Sequence, residues 1–551
     1  MHCQYFLTFW LLANSALAPA AFTDATATSK IGFVFASGKT PDRYLIEAMG
    51  GGVAMFDADG DGRLDLFFVN GAALKPGMGA RDRADKSEAK YWNRLYRNQG
   101  DGTFADITEK AGLRGNGYGQ GVAVGDVDND GRADLFVTAL GGNTLYRNLG
   151  GGAFEDVTAQ AGLAGGGWST SAGFIDYDRD GSLDLFVARY LDWDFDRNKR
   201  CGGAGPALQS YCHPNEYGTV THLLYRGLGG CRFADVSGKA GIARAPGKGL
   251  GVAFADVDRD GWPDIFVAND SYPQQLFRNQ QDGTFAEIAL AAGAAYDEDG
   301  KVFAGMGVDL ADYDNDGFPD VFVNALANQG YGLFRNRKGL FEYVSGASGI
   351  TLASQMHSGW GTRFLDYDND GWKDLFVAQG HVMDNIELTQ PGIRYRETPL
   401  LLRNAGGRFA DVSARAGAPF GQAMAGRGAA FGDFNNDGAV DIVVSDLNGA
   451  PRVFRNGATA NNWLLVDTVG AKSNRDGLGA TVRIVMASGS EQTGFVSTAG
   501  SYLSAHDKRV HFGLGAERQV KLLEIRWPGG ALQTWKNVAA NQIFVAREAA
   551  P

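Results

Sequence analysis

Hydrophobic positions in this chain fall in short runs, and the runs repeat. GVAVGDVD (121–128) is followed by DLFV (134–137), and GVAFADVD (251–258) by DIFVA (264–268). Short apolar runs bounded by turn residues predict β-strands, and no helical period of 3.6 appears between them. Nine residues of one pattern join the strands of each pair: DADGDGRLD at 57–65, DVDNDGRAD at 126–134, DYDRDGSLD at 176–184, DVDRDGWPD at 256–264, DYDNDGFPD at 312–320, DYDNDGWKD at 366–374 and DFNNDGAVD at 433–441. Each copy caps a β-hairpin.

Two further apolar segments follow each hairpin. The third strand is marked by LYRN at 95–98 and 145–148, LYRG at 224–227, LFRN at 276–279 and 333–336, LLRN at 401–404 and VFRN at 453–456. The fourth reads FADIT at 104–108, with relatives beginning at Phe154, Phe233, Phe285, Phe341 and Phe409. Four antiparallel strands per unit, repeated, predict an all-β fold, a seven-bladed β-propeller spanning residues 21–458. The seventh unit has no fourth strand of its own. FTDAT at 22–26 resembles FADIT and is expected to close the ring by pairing with the last blade. From 461 to 548 the acidic loops stop, and candidates such as VKLLEIRW (520–527) predict a small β-sandwich-like domain in which Leu523, Ile525 and Trp527 share the buried face.

Alternating carboxylates followed by glycine suit a hard cation, because Ca²⁺ takes several oxygens at once and glycine lets the backbone wrap it. The expected side-chain ligands stand at loop positions 1, 3, 5 and 9, with a carbonyl from position 7. They are Asp57, Asp59, Asp61 and Asp65; Asp126, Asp128, Asp130 and Asp134; Asp176, Asp178, Asp180 and Asp184; Asp256, Asp258, Asp260 and Asp264; Asp312, Asp314, Asp316 and Asp320; Asp366, Asp368, Asp370 and Asp374; and Asp433, Asn435, Asp437 and Asp441. An EF-hand is excluded, since it needs a glutamate at position 12 and flanking helices, and position 12 here is Phe68 or valine. About one calcium ion per blade is expected, held most weakly in blade seven, where Asn435 replaces a carboxylate. The competing explanation is an Asp/Gly-rich turn without metal. It leaves the acid at position 9 unexplained.

The acidity of the chain, formal net charge −12, sits mostly in these loops, and seven divalent cations would more than cancel it. Nucleic acid is an unsuitable partner for such a surface. Residues 1–20, with an apolar run from Tyr5 to Ala13 and small residues at Ala18-Pro19-Ala20, read as a signal peptide, and no other segment is long and apolar enough to be a transmembrane span. Secreted, periplasmic or cell-surface localisation is expected. Cys201, Cys212 and Cys231 follow the signal; Cys201 with Cys212 closes a short loop and is the simplest disulfide, while pairings with Cys231 stay open.

The repeats resemble the FG-GAP/VCBS family, whose propellers include the integrin α-chain head. SNRDGLGA (473–480), VHFGLG (510–515) and RWPGG (526–530) resemble the ASPIC/UnbV domain, and the combination resembles the cartilage acidic protein-like family. The resemblance implies a secreted or surface calcium-binding protein.

Extra chain enters three blades at one point, between the second and third strands, at residues 71–93, 190–222 and 381–399. Strands alternate in direction, so these insertions stand on the face opposite the acidic loops. Trp92, Trp193, Tyr211, Tyr217, His357 and His381 are the ligand-face candidates there. The expected function is that of a non-enzymatic binding or adhesion module whose partner is an extracellular or envelope protein or a glycan. Two alternatives are a hydrolase or lyase in the propeller mouth near His357 and His381, and a purely structural envelope or matrix protein. No phosphate loop, Cys-x-x-Cys or Gly-x-Ser-x-Gly elbow accompanies the histidines.

Overall fold

The computed structural model describes residues 21–550 apart from 164, 204, 458 and 459. The expected signal peptide and Cys3 lie outside the described residues. Among the described residues seven four-stranded antiparallel sheets carry the acidic loops. Blade two, for example, runs Tyr118–Gly125, Asp134–Leu140, Thr144–Gly150 and Ala153–Asp156. First strands pack on first strands in a cycle, from Val53–Phe56 through Tyr118–Gly125, Ser169–Ile175, Gly249–Ala255, Val308–Ala311 and Gly359–Leu365 to Gly426–Gly432, which returns to Val53–Phe56. The ring is closed, and the fold is an all-β propeller.

Crowding at the axis explains the glycine-rich first strands. A Cβ on Gly251 would stand 2.6 Å from the Met306 carbonyl oxygen, and one on Gly361 would stand 2.5 Å from the Ala429 nitrogen. The neighbouring blade leaves room for backbone only. Outward from the axis, the second strands are apolar on both faces and pack between blades: Leu135, Phe136, Leu185, Phe186, Ile265 and Phe266 are fully buried. Each contributes about 1.5–3 kcal/mol by leaving water. After the fourth strand comes a single helical turn that the sequence pattern did not predict, as at Thr108–Ala111, where Asp106 accepts from the Thr108 amide and hydroxyl. One turn is too short to show a period.

The N-terminal segment supplies the fourth strand of the last blade. Phe22, Thr23 and Asp24 pair antiparallel with Asn456, Arg455 and Phe454, and the buried Phe22 ring meets Phe420 edge-on at 5.4 Å. Deleting residues 21–30 is therefore expected to lower the melting temperature far more than an ordinary terminal truncation would, because it bares the edge of Arg452–Asn456. Differential scanning calorimetry of the truncated chain tests this; an unshifted melting curve would contradict it.

The C-terminal segment forms two sheets. Asn462–Val469 lies between Val510–Gly515, antiparallel, and Gln542–Arg547, parallel. The other sheet runs Glu491–Phe495, Thr481–Met486, Gln519–Arg526 and Leu532–Ala539. Leu523, Ile525 and Trp527 are buried between the two sheets, as their alternation predicts.

This tail docks on the acidic-loop face and sends residues 497–507 down the propeller axis. Ala505 bridges Ala54 in parallel and Ser501 bridges Val308 antiparallel. The Val122 amide donates to the Leu503 carbonyl at 3.0 Å, the Thr362 amide to Ser501 Oγ at 3.0 Å, and Ser501 Oγ to the Ala429 carbonyl at 3.0 Å. At the far end Tyr502 is fully buried, meets Trp360 edge-on at 4.9 Å and donates its hydroxyl to the Met49 carbonyl at 2.6 Å. The channel is plugged by the chain's own tail.

Candidate functional site

Each acidic loop is built by its own backbone amides. Asp126 Oδ1 accepts from the Asp130 amide at 2.9 Å and Oδ2 from the Gly131 amide at 2.6 Å; Asp366 repeats this with Asp370 and Gly371. The glycine at position 6 takes φ of +81° to +94° in all seven loops, the left-handed region that a Cβ penalises.

Position 9 has a role that the sequence reading missed. Asp134 Oδ2 accepts from the Val127 amide at 2.9 Å and Oδ1 from the Asn148 amide at 2.7 Å, and Asp374 does the same with Tyr367 and Asn404. This buried carboxylate therefore ties the loop to the third strand, so a metal is not needed to explain it. The asparagine of the third-strand motif adds a link between blades: Asn148 Nδ2 donates to the Ala58 carbonyl of the preceding loop at 2.9 Å.

What backbone bonding leaves unsatisfied in five of the loops is position 3. Asp59 Oδ1, Asp128 Oδ1, Asp178 Oδ1, Asp368 Oδ1 and Asn435 Oδ1 are buried without a hydrogen-bond partner. The outer oxygen of the same group meets the arginine of the third strand: Arg147 with Asp128 at 2.6 Å, Arg226 with Asp178 at 2.6 Å, Arg403 with Asp368 at 3.0 Å. Inner oxygens left orphaned beside two or three other carboxylates form an all-oxygen donor set that fits Ca²⁺. Clusters of carboxylate oxygens within 4.8 Å of one another occur at Asp57, Asp59 and Asp61; at Asp126, Asp128 and Asp134; at Asp176, Asp178 and Asp184; at Asp256, Asp258 and Asp260; and at Asp312, Asp314 and Asp316. Position 9 joins the cluster in the second and third loops, position 5 in the first, fourth and fifth.

Burial, and then the neighbouring carboxylates, push these acids up. Asp176 and Asp312 rise to about 7, Asp134 to about 8. Asp126 also rises to about 7, by burial and then by the charge of Asp476 in the tail. Loops of this kind hold protons when they hold no cation.

In blade seven Asn435 Nδ2 donates to Asp437 Oδ2 at 2.7 Å, occupying a carboxylate oxygen, while Arg455 is exposed and makes no ion pair among the described residues. Asn435→Asp is expected to tighten one calcium site by about tenfold, because it adds charge and frees Asp437. Isothermal titration of the variant measures this, and identical binding curves would count against it.

On the opposite face the insertions fold inward, which corrects the expectation that their aromatics stand out toward a ligand. Trp193 is 3%, Tyr211 5% and Tyr217 8% exposed. Trp193 packs on Trp168 and Phe195, both at 5.3 Å, and Tyr211 donates its hydroxyl to Glu47 at 3.2 Å. Large rings on long loops gain more by covering the ring of blades than by meeting water. The Cys201–Cys212 disulfide is formed and Cys231 is a buried free thiol. Trp92 stays half-exposed, with the guanidinium of Arg114 4.1 Å and that of Arg94 5.2 Å from its ring.

The two histidines take different partners. His357 Nδ1 bonds Glu397 at 2.7 Å, which raises its pKa. His381 is buried and accepts from the Met383 amide at 3.0 Å, and burial lowers it to about 4. Sequence reasoning also missed Glu47, buried and pushed up to about 7, against which Thr40 donates twice. It lines a cavity of about 330 Å³ with Lys39, Tyr211, Asp384, Tyr395 and Arg396.

Residues 57–137, 126–187, 256–323 and 312–377 match the FG-GAP-like repeat, and residues 470–551 match ASPIC and UnbV. The chain is 28% identical over 329 residues to cartilage acidic protein 1 of Homo sapiens, covering 58% of this chain and 46% of that protein. Identity to cartilage acidic protein 1 of Xenopus tropicalis is 27% over 327 residues, covering 56% and 46%. The chain spans about half the length of the curated relatives it matches. Among solved structures, a lectin of Agrocybe aegerita described as recognising non-reducing terminal N-acetylglucosamine aligns over 73% of this chain and 85% of its own, at a TM-score of 0.36 and 16% identity.

Proposed function

Because the chain belongs to the cartilage acidic protein-like family, with FG-GAP-like repeats followed by an ASPIC and UnbV domain, we infer that it is an exported, calcium-stabilised propeller that binds a macromolecule or glycan without chemical turnover. Calcium would be held by positions 1, 3 and 5 of the loops, with position 9 added where it reaches, and would supply the positive charge that four clustered acids lack. The ligand site is assigned to the insertion face.

One observation carries this assignment: the tail occupies the acidic-loop face and fills the axis, so the broad surface left free is the opposite one. Its cavity lined by Tyr211, Tyr395, Asp384 and Arg396 offers rings beside charged hydrogen-bonding groups, the mixture that binding sites use. The Cys201–Cys212 disulfide in that face supports an oxidising compartment outside the cytosol. Glycan-array binding and capture from extracellular matrix or envelope extract, with wild-type chain against Tyr395→Ala and Trp92→Ala, test the reading. Reduced capture at unchanged calcium uptake is expected. Capture that survives both substitutions and maps to the tail would refute the assignment.

A further inference from the structure

At the fourth position of the acidic loops the backbone is strained. Asn129, Arg179, Arg259, Asn315, Asn369 and Asn436 stand at φ between 56° and 61°, a region that glycine enters freely and an arginine resists. Gly60, at φ 80°, is the glycine of the set. The six side chains share one contact. Asn129 Nδ2 donates to the Gly181 carbonyl at 3.0 Å, Asn315 to Gly371 at 3.2 Å, Asn369 to Gly438 at 3.1 Å and Asn436 to Gly62 at 3.0 Å. In every case the acceptor is the sixth residue of the next loop around the ring. The two arginines make the same reach by stacking, Arg179 4.8 Å from the Trp262 ring and Arg259 5.2 Å from the Phe318 ring, each ring being the seventh residue of the next loop.

Six of seven junctions are thus stapled in one direction. The junction from loop one to loop two keeps its return bond from Asn148 to the Ala58 carbonyl but lacks the forward staple, since Gly60 has no side chain and nothing lies within 4 Å of where its Cβ would project. The tail covers loop two at this point. The Arg475 amide donates to Asn129 Oδ1 at 2.7 Å, and Arg475 Nε lies 3.9 Å from where a Cβ on Gly131, the sixth residue of loop two, would project.

We propose that the fourth-position side chains are positioning residues for cation binding, coupling each acidic loop to the next at six of the seven junctions. Each asparagine pins the peptide that joins the sixth and seventh residues of its neighbour, and each arginine holds the seventh side chain; the seventh residue's carbonyl is the backbone ligand expected in that loop. A cation that orders one loop thereby lowers the ordering cost of the next. The proposal rests on the calcium reading above.

Calcium chloride titrated calorimetrically into the full mature chain, in chelator-cleaned buffer, tests it, with near-UV circular dichroism as the check on folding. Asn315→Gly removes a staple while relieving the backbone, and it should weaken two sites by about fivefold or more. Gly60→Asn supplies the missing staple and should tighten the first and second loops by a similar factor. Calcium uptake that is identical in the wild-type and Asn315→Gly chains overturns the proposal and leaves the calcium reading standing, as does a Gly60→Asn chain that binds no more tightly than wild type. A wild-type chain that takes up no calcium overturns both.

Discussion

Stripping calcium is expected to lower the melting temperature by about 10 °C or more and to make the protein's stability depend on pH. At ten times Kd each site adds about 1.4 kcal/mol by mass action, and several such sites rival a typical total stability of about 5–15 kcal/mol. The pH effect follows from the raised acids. Asp176 and Asp312 sit at about 7 and Asp134 at about 8 in the folded, cation-free chain, against about 3.9 unfolded. The folded state then binds more protons than the unfolded state between about pH 4 and 8. Its stability is fullest below pH 4 as far as these groups go, and it is lost as pH rises through 7 to 8. Calcium displaces those protons, so the loaded chain should keep its melting temperature across the same range. Calorimetric scans from pH 5 to 8 in calcium-free and calcium-saturated buffer check both halves. A stripped chain that melts at one temperature throughout would show that the acids are not held as described.

The second large effect concerns the axis. Tyr502→Ala is expected to cost about 3–5 kcal/mol, a loss comparable to removing a central core residue, although the substitution lies in the C-terminal tail. Tyr502 is fully buried against Trp360, and its hydroxyl satisfies the Met49 carbonyl. Alanine would leave a void beside Arg427, whose guanidinium is buried 4.0 Å from the Trp360 ring and donates to the carbonyls of Ala48, Gly426 and His381. Water entering there would loosen a cation that makes no ion pair among the described residues. Urea unfolding followed by tryptophan fluorescence measures the loss; a variant that unfolds at the parent's urea concentration would mean that the plug only fills space.

The contrast between loops and axis shows what a sequence of this kind discloses. The blades were legible because each strand's burial is written locally, in GVAVG, DLFV and LYRN, and written several times over. The ring-closing strand was legible for the same reason, since FTDAT is a copy of FADIT displaced to the other end. The metal clusters followed from ligand chemistry at fixed spacing, whereas the structural duty of position 9 depends on amides about fourteen residues or more away, such as Asn148 for Asp134. Segment 497–507 could not be read at all. STAGSYLSAHD has no period, because its neighbours are the inner strands of several blades and each residue answers to a different one. The insertion aromatics were placed on the correct face and given the wrong surroundings: composition marks Trp193 and Tyr217 as valuable contacts without saying whether the partner is a ligand or the loop beside them.

Pairing the strand at Phe22–Asp24 with the one at Arg452–Asn456 sets an order of events during synthesis. The first strand to be made must wait for the last of the propeller, and drawing together ends more than four hundred residues apart costs about 5 kcal/mol in chain entropy when the intervening chain is still flexible. Blades that fold in sequence shorten that distance before the ends meet, so closure comes cheaply only as a late step. Until then the last blade offers an open edge to any second copy that carries a free N-terminal strand, and the exchange of that strand between two chains is the misassembly to look for at high expression.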